Sequence, residues 1–366
     1  ARQILDVIVG YKISPVLWKN IVTNIKNSLS AGRCQTPALR LVYDNYLEIE
    51  KSPGKTSYNT RGYFTSKNIE FSLNNDFNSS EEAEHFLEKS IDFQHELSRL
   101  SEKTVYKPPP EPFITSTIQQ TANNLMHISP KETMRICQRL YEQGYITYMR
   151  TDSKVYSKDF IDTVIPYITT NYSNRHIHLN LDTLWDRDKI KDLKEKQQSK
   201  QKTKKNTKDA KNDDLAQEAH EAIRPTKITI NKLPEDEEFS SRERRLYIII
   251  WSNTIQSCMS DAEYRTFQLK ITAPDSLYYQ YTTELCIFRG WQDVDWKDTP
   301  TYFEFLRTIK EGSINYKKII SRQTIKDKKT HYTEAKLVQL LELHGIGRPS
   351  TFSSIVDKII ERNYVS

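Results

Sequence analysis

GYITYMRTDS, residues 144–153, sets two tyrosines three positions apart and follows the second with a compact polar cluster. As local structure, this pattern is typical of the end of a strand or of a turn. As chemistry, it places a potential nucleophile, Tyr148, two residues from a cation, Arg150. A phenol with a pKa of about 10 is a weak nucleophile, and an arginine could assist it by neutralising charge that develops on phosphoryl oxygens. The ten residues alone leave both interpretations open.

Composition limits the class of protein. The 366 residues include 54 Lys and Arg against 48 Asp and Glu, a net charge of +6. If the basic groups cluster, nucleic acid is the favoured partner, because lysine and arginine displace counterions from phosphates. The 21 tyrosines suit base stacking as well as ordinary packing in β-sheets. This length allows two to four domains with a substantial core.

Several classes of site lack a sequence signal. The four cysteines show no CxxC or Cys/His spacing, so no zinc site is expected, and they are interpreted as reduced structural thiols. Nine glycines argue against a glycine-rich phosphate or dinucleotide loop. No apolar run approaches eighteen residues and no signal peptide is recognisable. We therefore expect a soluble, intracellular protein without a membrane partner.

The chain alternates between helical and β-rich segments. Residues 1–50 are predicted to be helical, with a break around Gly10 and Pro15, and residues 52–77 alternate as strands do. Pro108–Pro110 mark a linker before helices in 113–164. A helix around 241–259 precedes strands at 264–272, 278–288 and about 302–305, and two helices joined by a glycine-rich turn close the chain. The charged stretch 187–214 is predicted to be a disordered or solvated insertion.

Four polar clusters fall where loops or helix starts are expected. Each cluster alone is better explained by helix capping, but four loops rich in arginine and hydroxyl groups suit a long polyanion better than a small ligand. In the third cluster, His220 and Arg224 are four apart and would share a helical face. The clusters are Ser30, Arg33 and Gln35; Tyr148 and Arg150; His220, Glu221 and Arg224; and Arg348, Ser350 and Thr351.

Six stretches in order carry a resemblance to a known family. They are ARQILDVIVGYKISPVLW (1–18), SAGRCQTPALRLV (30–42), PPPEPFITSTIQQTA (108–122), LYEQGYITYMRTDS (140–153), EAHEAIRPT (218–226) and YTEAKLVQLLELHGIGRPSTFSSIV (332–356). Together they resemble the successive conserved blocks of type IA DNA topoisomerases. ITYMRTDS is most similar to the bacterial topoisomerase I branch.

The resemblance implies a multidomain α+β fold, the type IA topoisomerase torus. Residues 1–51 plus 309–366 would form a helical DNA-binding domain. Residues 52–110 plus 226–308 would build a β-rich arch. Residues 111–225 would form a helical domain that carries the tyrosine and contains the insertion at 187–214.

The resemblance also implies a site and a reaction. Tyr148 would attack a phosphodiester of single-stranded DNA and retain the 5′ phosphate, Arg150 would stabilise the phosphoryl group, and His220 would assist in positioning or proton transfer. No ATP would be needed, and strand passage would relax negatively supercoiled DNA by a monomer. The expected DNA-binding residues are Arg2, Asp6, Tyr11, Ser30, Arg33, Gln35, Arg224, Arg348, Ser350 and Thr351.

The sequence departs from the family in two respects. Gln3 and Val7 replace basic residues of the first block, so a different base preference upstream of the cut is expected. The acidic Toprim domain that holds the family's catalytic Mg²⁺ precedes this region, so no metal ligand is assigned to this chain. We interpret the chain as part of a longer enzyme that binds DNA but cleaves little by itself.

Three alternatives remain. A non-catalytic module that only holds single-stranded DNA would keep the same clusters. A tyrosine recombinase or type IB-like enzyme would surround its tyrosine with several basic residues and retain the 3′ phosphate. A small-molecule enzyme is the weakest alternative because no cofactor motif is recognised.

Overall fold

The computed structural model describes residues 2–21, 29–186, 221–235 and 238–365. These residues form two compact units, each assembled from separate stretches of the chain. The helical unit comprises Ala1–Leu47, Pro110–Ser260 and His331–Ser366, and the β-rich unit comprises Glu48–Pro109 and Asp261–Thr330. The insertion predicted at 187–214 lies outside the described residues.

The helices follow the segments that the periodicity predicts, with two exceptions given below. In chain order they are α1 (Arg2–Asn20), α2 (Gln35–Lys51), α3 (Ser80–Ile91), α4 (Thr115–Met126), α5 (Pro130–Glu142), α6 (Lys158–Asn171), α7 (Ser241–Ser257), α8 (Phe303–Thr308), α9 (Glu334–Leu343) and α10 (Phe352–Glu361). None of the described helices is both long and apolar enough to span a membrane.

The strands form one antiparallel sheet in the β-rich unit. They are β1 (Lys55–Tyr63), β2 (Glu70–Phe77), β3 (His95–Arg99), β4 (Lys103–Lys107), β5 (Ala262–Thr272), β6 (Tyr278–Phe288), β7 (Gly312–Ile314) and β8 (Lys318–Lys326). The order across the sheet is β7-β3-β5-β6-β2-β1-β8, and β4 also pairs with β5. Strands from both stretches of the unit are interspersed in this order, so neither stretch completes the sheet alone.

The core of the β-rich unit is aromatic. Phe71, Phe267, Tyr279 and Phe303 are buried there, and the Phe267 and Phe303 rings meet edge to face with centroids 4.9 Å apart. This packing gives part of the high aromatic content a structural role. In the helical unit, a separate apolar cluster joins α2, α9 and α10 around Ala38, Val338 and Ile359.

Serine side chains cap the starts of two helices. The Ser129 hydroxyl accepts a hydrogen bond from the Glu132 N–H at 3.2 Å, and Pro130 occupies the first position of α5. The Ser79 hydroxyl likewise accepts from the Glu82 N–H at 3.2 Å at the start of α3. Both caps satisfy a backbone donor that the first turn of a helix cannot pair internally.

The break predicted in the first helix is wrong. α1 is continuous from Arg2 to Asn20 with Pro15 inside it. Proline removes its own backbone donor, but the following turns remain hydrogen-bonded, and the Ile21 N–H donates to the Leu17 carbonyl at 2.9 Å. The local loss therefore does not end the helix.

The strand predicted at about 302–305 is also wrong. Phe303 and Leu306 are both fully buried, and residues three apart lie on the same face of a helix but on opposite faces of a strand. The helix α8 therefore buries both residues on one face. The Thr301 hydroxyl accepts from the Phe303 N–H at 3.2 Å as this helix begins.

The second β-rich stretch covers Asp261–Thr330 instead of 226–308. Residues 241–257 are the helix α7, which packs in the helical unit, where the Arg139 guanidinium and the Glu243 carboxylate are 3.2 Å apart. Residues 312–326 contribute β7 and β8 to the sheet. The division of the helical part into a DNA-binding domain and a tyrosine domain stays a prediction.

Candidate active site

Tyr148 and Arg150 lie on the partly exposed side of a segment that is neither helix nor strand. From residue 148 to residue 153, partly exposed and buried positions alternate. Met149, Thr151 and Ser153 point inward, with 0%, 1% and 4% of their surface exposed. Because successive side chains of an extended chain point to opposite sides, the spacing of two presents the tyrosine and the arginine together.

The hydroxyl of Tyr148 and the guanidinium of Arg150 meet. The Arg150 Nη1 donates a long hydrogen bond to the Tyr148 Oη at 3.4 Å. The Tyr148 ring also packs edge to face against Tyr141, with centroids 5.4 Å apart. The ring and the hydroxyl therefore each have a neighbour, and the cation lies where negative charge on a phenolate oxygen or on a bound phosphoryl group would develop.

The segment before the tyrosine is tied to residues 222–226. The Thr147 N–H donates to the Arg224 carbonyl at 2.9 Å, and the Thr147 hydroxyl donates to the Ala222 carbonyl at 2.9 Å. Ile223 and Pro225 form isolated antiparallel bridges to Phe113 and Ile146. The described residues 221–226 therefore form no helix, because their backbone pairs with two neighbouring segments. The helical face expected for His220 and Arg224 is wrong from Glu221 onward, and His220 itself lies outside the described residues.

The Arg224 side chain contacts Glu221, Pro225 and Phe160 and so stabilises residues 221–226. Its guanidinium donates to both carboxylate oxygens of Glu221 at 3.0 and 2.8 Å and to the Pro225 carbonyl at 2.9 Å. It also stacks over the Phe160 ring at 4.0 Å, and only 11% of the side chain is exposed. Glu221 in turn accepts from the Ser157 N–H at 3.1 Å at the start of α6. The contacts give Arg224 a structural role, and its predicted DNA contact stays a prediction.

Asp6 and Arg33 form an exposed bidentate ion pair. The Arg33 Nε and Nη2 donate to the two Asp6 carboxylate oxygens at 3.0 and 3.2 Å. The Arg33 hydrogen bond keeps the pKa of Asp6 below its ordinary value. This pair links α1 to the loop before α2, so two of the predicted DNA-binding residues lie together on the surface.

Ser30 lies in the loop before α2, and Gln35 is the first residue of that helix. Their side chains approach to 3.5 Å, and Gln35 is buried at the first position of α2. The Ser30 N–H donates to the Tyr364 hydroxyl at 2.9 Å, and the Ala31 N–H donates to the Ser14 hydroxyl at 3.2 Å. The loop is thus fixed by α1 on one side and by the C-terminal residues on the other.

Arg348 and Thr351 close the turn between α9 and α10. The Arg348 N–H donates to the Thr351 hydroxyl at 2.8 Å, which donates to the Arg348 carbonyl at 3.1 Å. Gly347 has φ +85°, and a Cβ there would lie 2.7 Å from the Ile355 side chain, so glycine is required. Ser350 is exposed beside them. The turn keeps the expected phosphate-binding residues at the start of α10.

The remaining predicted site residues are less defined. Tyr11 lies on α1 with 80% of its surface exposed. Arg2 is the first residue of α1, and its side chain lies outside the described structure, as does the whole of His220. The expected roles of all three stay predictions.

The described residues contain no group of three or more His, Cys, Asp or Glu side chains that could hold a metal ion. The four cysteines are free thiols, and burial raises the pKa of Cys137 and Cys258 to about 12. At neutral pH these two thiols stay protonated, which makes them poor nucleophiles.

Sequence reasoning did not identify several supporting residues. Thr115 and Tyr141 contact residues 148–153, the tyrosine segment, and Thr147 joins the preceding residues to Ala222 and Arg224. Tyr364 contacts the Ser30 loop across 334 positions. Thr147 and Tyr141 lie near Tyr148 in the sequence, so their proximity was the one available signal. Thr115 and Tyr364 come from distant segments, and pairing at such distances is set by packing.

Comparison with known proteins agrees with the resemblance. The DNA topoisomerase family profile matches residues 1–366. DNA topoisomerase 1 of Buchnera aphidicola (strain APS) is 34% identical over 376 positions, which cover 100% of this chain and 40% of that protein. DNA topoisomerase 1 of Pseudomonas aeruginosa is 33% identical, with 100% and 40% covered. The structure of full-length topoisomerase I from Thermotoga maritima is 30% identical with a TM-score of 0.75, covering 100% of this chain and 56% of that one.

The fold, the tyrosine–arginine site and these similarities define the class. The chain belongs to the type IA DNA topoisomerase family, and the predicted multidomain α+β fold class is confirmed. The chain spans less than half the length of the Buchnera and Pseudomonas relatives.

Proposed function

We propose that the full-length protein is a type IA DNA topoisomerase that breaks and rejoins single-stranded DNA without ATP, with Tyr148 as the nucleophile. Passage of a strand through the break would relax negatively supercoiled DNA. The observation that carries this proposal is the contact of the Tyr148 hydroxyl with the Arg150 guanidinium at 3.4 Å, in a chain of this family.

The chemistry is a phosphoryl transfer in two symmetric steps. The Tyr148 Oη loses its proton and bonds to phosphorus, and the bond from phosphorus to the 3′ oxygen breaks. The DNA then ends in a 3′ hydroxyl, which takes up a proton, and the 5′ phosphate is esterified to the tyrosine. Resealing reverses both bond changes. Since the ester preserves the energy of the phosphodiester, no nucleotide hydrolysis is required.

Arg150 would lower the barrier for both steps. A guanidinium beside the attacking oxygen stabilises the phenolate and, by its remaining donors, the charge on the non-bridging phosphoryl oxygens. Mutational losses of such a donor are about 10²–10³-fold. Mg²⁺ is the proposed cofactor of the full-length protein.

The surface clusters would hold the DNA strand. We propose that Asp6, Tyr11, Ser30, Arg33 and Gln35 contact it on one side, and that the turn with Arg348, Ser350 and Thr351 contacts the backbone elsewhere. Arg2 would also contact the strand, His220 would assist in positioning or proton transfer, and Arg224 would either support the segment that carries Tyr148 or contact the DNA. A helix start offers free N–H groups and favours anions, which suits the last turn, before α10.

The polarity of a covalent adduct tests the proposal. The full-length gene product is incubated with Mg²⁺ and with single-stranded DNA labelled at either the 5′ or the 3′ end, and the reaction is stopped with denaturant. We expect only the 3′ label to become bound to protein, because the 5′ phosphate of the downstream fragment is retained. A protein-bound 5′ label would indicate recombinase-type chemistry, and tight DNA binding with no adduct would leave a strand-holding module. Plasmid relaxation should require Mg²⁺ but not ATP.

Arg348→Ala should weaken binding to single-stranded DNA in a salt-dependent way. A plot of the logarithm of the association constant against log[salt] has a negative slope. If Arg348 neutralises one phosphate, the magnitude of this slope should decrease by about 0.7 in the variant. The matched control is Arg40→Ala, which removes the same charge from an exposed arginine paired with Asp44 at 2.7 Å. Fluorescence anisotropy titrations at several salt concentrations measure both. Equal slopes for Arg348→Ala and the wild type would contradict the phosphate contact.

A further inference from the structure

Thr115 forms hydrogen bonds with the backbone of the tyrosine segment, at Met149 and Thr151. Its hydroxyl donates a shared hydrogen bond to the Met149 carbonyl at 2.7 Å and to the Thr151 carbonyl at 3.0 Å. The same oxygen accepts from the Thr151 N–H at 2.8 Å. The Thr115 N–H also donates to the Thr151 carbonyl at 3.0 Å. One fully buried residue thus contacts the backbone on both sides of Arg150.

These contacts require a hydroxyl at this position. Thr115 is the first residue of α4, so the contacts attach the extended segment to the start of a helix. An aliphatic side chain of the same shape could neither donate to the carbonyls nor accept from the Thr151 N–H. The buried backbone groups that it left unpaired would carry a desolvation cost, which a shift of the segment would relieve.

The position of this segment sets the geometry of the reacting atoms. Met149 and Thr151 alternate with Tyr148 and Arg150, so a displacement of the inward residues moves both outward side chains. The 3.4 Å contact between the tyrosine hydroxyl and the arginine depends on that backbone. A misplacement of about 1 Å in a reacting group can reduce a rate about 10²-fold.

We propose that Thr115 is a positioning residue for phosphoryl transfer: its hydroxyl fixes the backbone that aligns Tyr148 and Arg150 with the scissile phosphate. The inference rests on the proposed function of Tyr148. Because the hydroxyl does not itself face the DNA in this role, its loss should slow bond making and breaking while the strand still binds. In kinetic terms, kcat falls and KM changes little.

Three variants of the full-length protein separate this role from a general effect on folding. Thr115→Val removes the hydroxyl and keeps the shape, whereas Thr115→Ser keeps the hydroxyl. The control, Thr117→Val, removes a hydroxyl from the same helix start, where Thr117 Oγ1 contacts the Ile114 N–H and carbonyl at 3.0 and 3.1 Å. The measured quantities are the adduct-forming rate at saturating DNA, the DNA Kd and the melting temperature.

We expect Thr115→Val to form the adduct about 10- to 100-fold more slowly, with Kd within about twofold of the wild type. Thr115→Ser should restore most of the rate, and Thr117→Val should react as the wild type does. A wild-type rate for Thr115→Val, or an equal loss in Thr117→Val, would overturn the proposal. If Thr115→Val does not fold, Thr115→Ala is measured in its place. If neither variant folds, the hydroxyl is required for folding and the proposed positioning role is overturned.

The proposed function is checked separately in the same assay. If the wild-type protein forms no adduct, the function proposed for Tyr148 fails and the role of Thr115 fails with it. If the wild type forms a 5′-phosphotyrosyl adduct and Thr115→Val forms it equally fast, the inference about Thr115 fails alone.

Discussion

Tyr148→Phe should abolish the covalent complex with DNA while leaving the fold and DNA binding intact. Removing a nucleophile from an enzyme that forms a covalent intermediate costs on the order of 10⁴- to 10⁶-fold in rate. Phenylalanine keeps the ring that packs edge to face on Tyr141 at 5.4 Å and loses only the hydroxyl. The substitution leaves the proposed DNA-contacting surface clusters unchanged, so binding to DNA should remain.

Adduct formation on end-labelled DNA measures the loss, and anisotropy and thermal melting show that the variant is otherwise intact. Tyr141→Phe is the matched control, since it removes a hydroxyl from the adjacent ring and should leave adduct formation near the wild-type level. If the adduct persisted in Tyr148→Phe and disappeared in Tyr141→Phe, the nucleophile would be Tyr141. Persistence in both variants would place it elsewhere among the tyrosines.

Features set by neighbours in the sequence were the predictable part of this site. The spacing of two between Tyr148 and Arg150 suffices to place them on one side of an extended segment, and the structure has this alternation. The helix starts at Ser79 and Ser129 follow from short-range hydrogen bonding in the same way. The family was identified from six ordered blocks, which no single short-range pattern could have shown.

Features set by packing between distant segments were not predictable. Phe303 and Leu306 are helical and pack in the buried core of the β-rich unit, although their local pattern also fits a strand. The extended course of residues 221–226 depends on bridges to Phe113 and Ile146. These contacts join residues far apart in the sequence, where propensity carries little information.

Arg224→Met should destabilise the helical unit by about 2–4 kcal/mol, because it breaks a largely buried ion pair from one side. Methionine retains much of the packing over Phe160, but it leaves the Glu221 carboxylate without the guanidinium that binds both of its oxygens. The Pro225 carbonyl also loses its donor. Arg224 and Ala222 also accept hydrogen bonds from Thr147, next to Tyr148. A displacement of these residues should therefore slow adduct formation as well as lower stability.

Urea unfolding and thermal melting measure this effect, and two comparisons identify its cause. Arg33→Met breaks a bidentate pair of the same kind on the surface, where solvent and salt screen the charges, and should leave stability near that of the wild type. Adding Glu221→Gln to Arg224→Met removes the unpaired charge and should recover part of the lost stability.

The same variant distinguishes the two roles expected for Arg224. If the residue supports the tyrosine segment, Arg224→Met lowers the unfolding midpoint and leaves the affinity for single-stranded DNA unchanged at temperatures where the protein is folded. If it instead contacts a phosphate, the affinity and its salt dependence fall while the midpoint stays at the wild-type value. With 11% of the side chain exposed and its donors directed to Glu221 and Pro225, we expect the first result, because a phosphate contact would require the guanidinium to leave both partners.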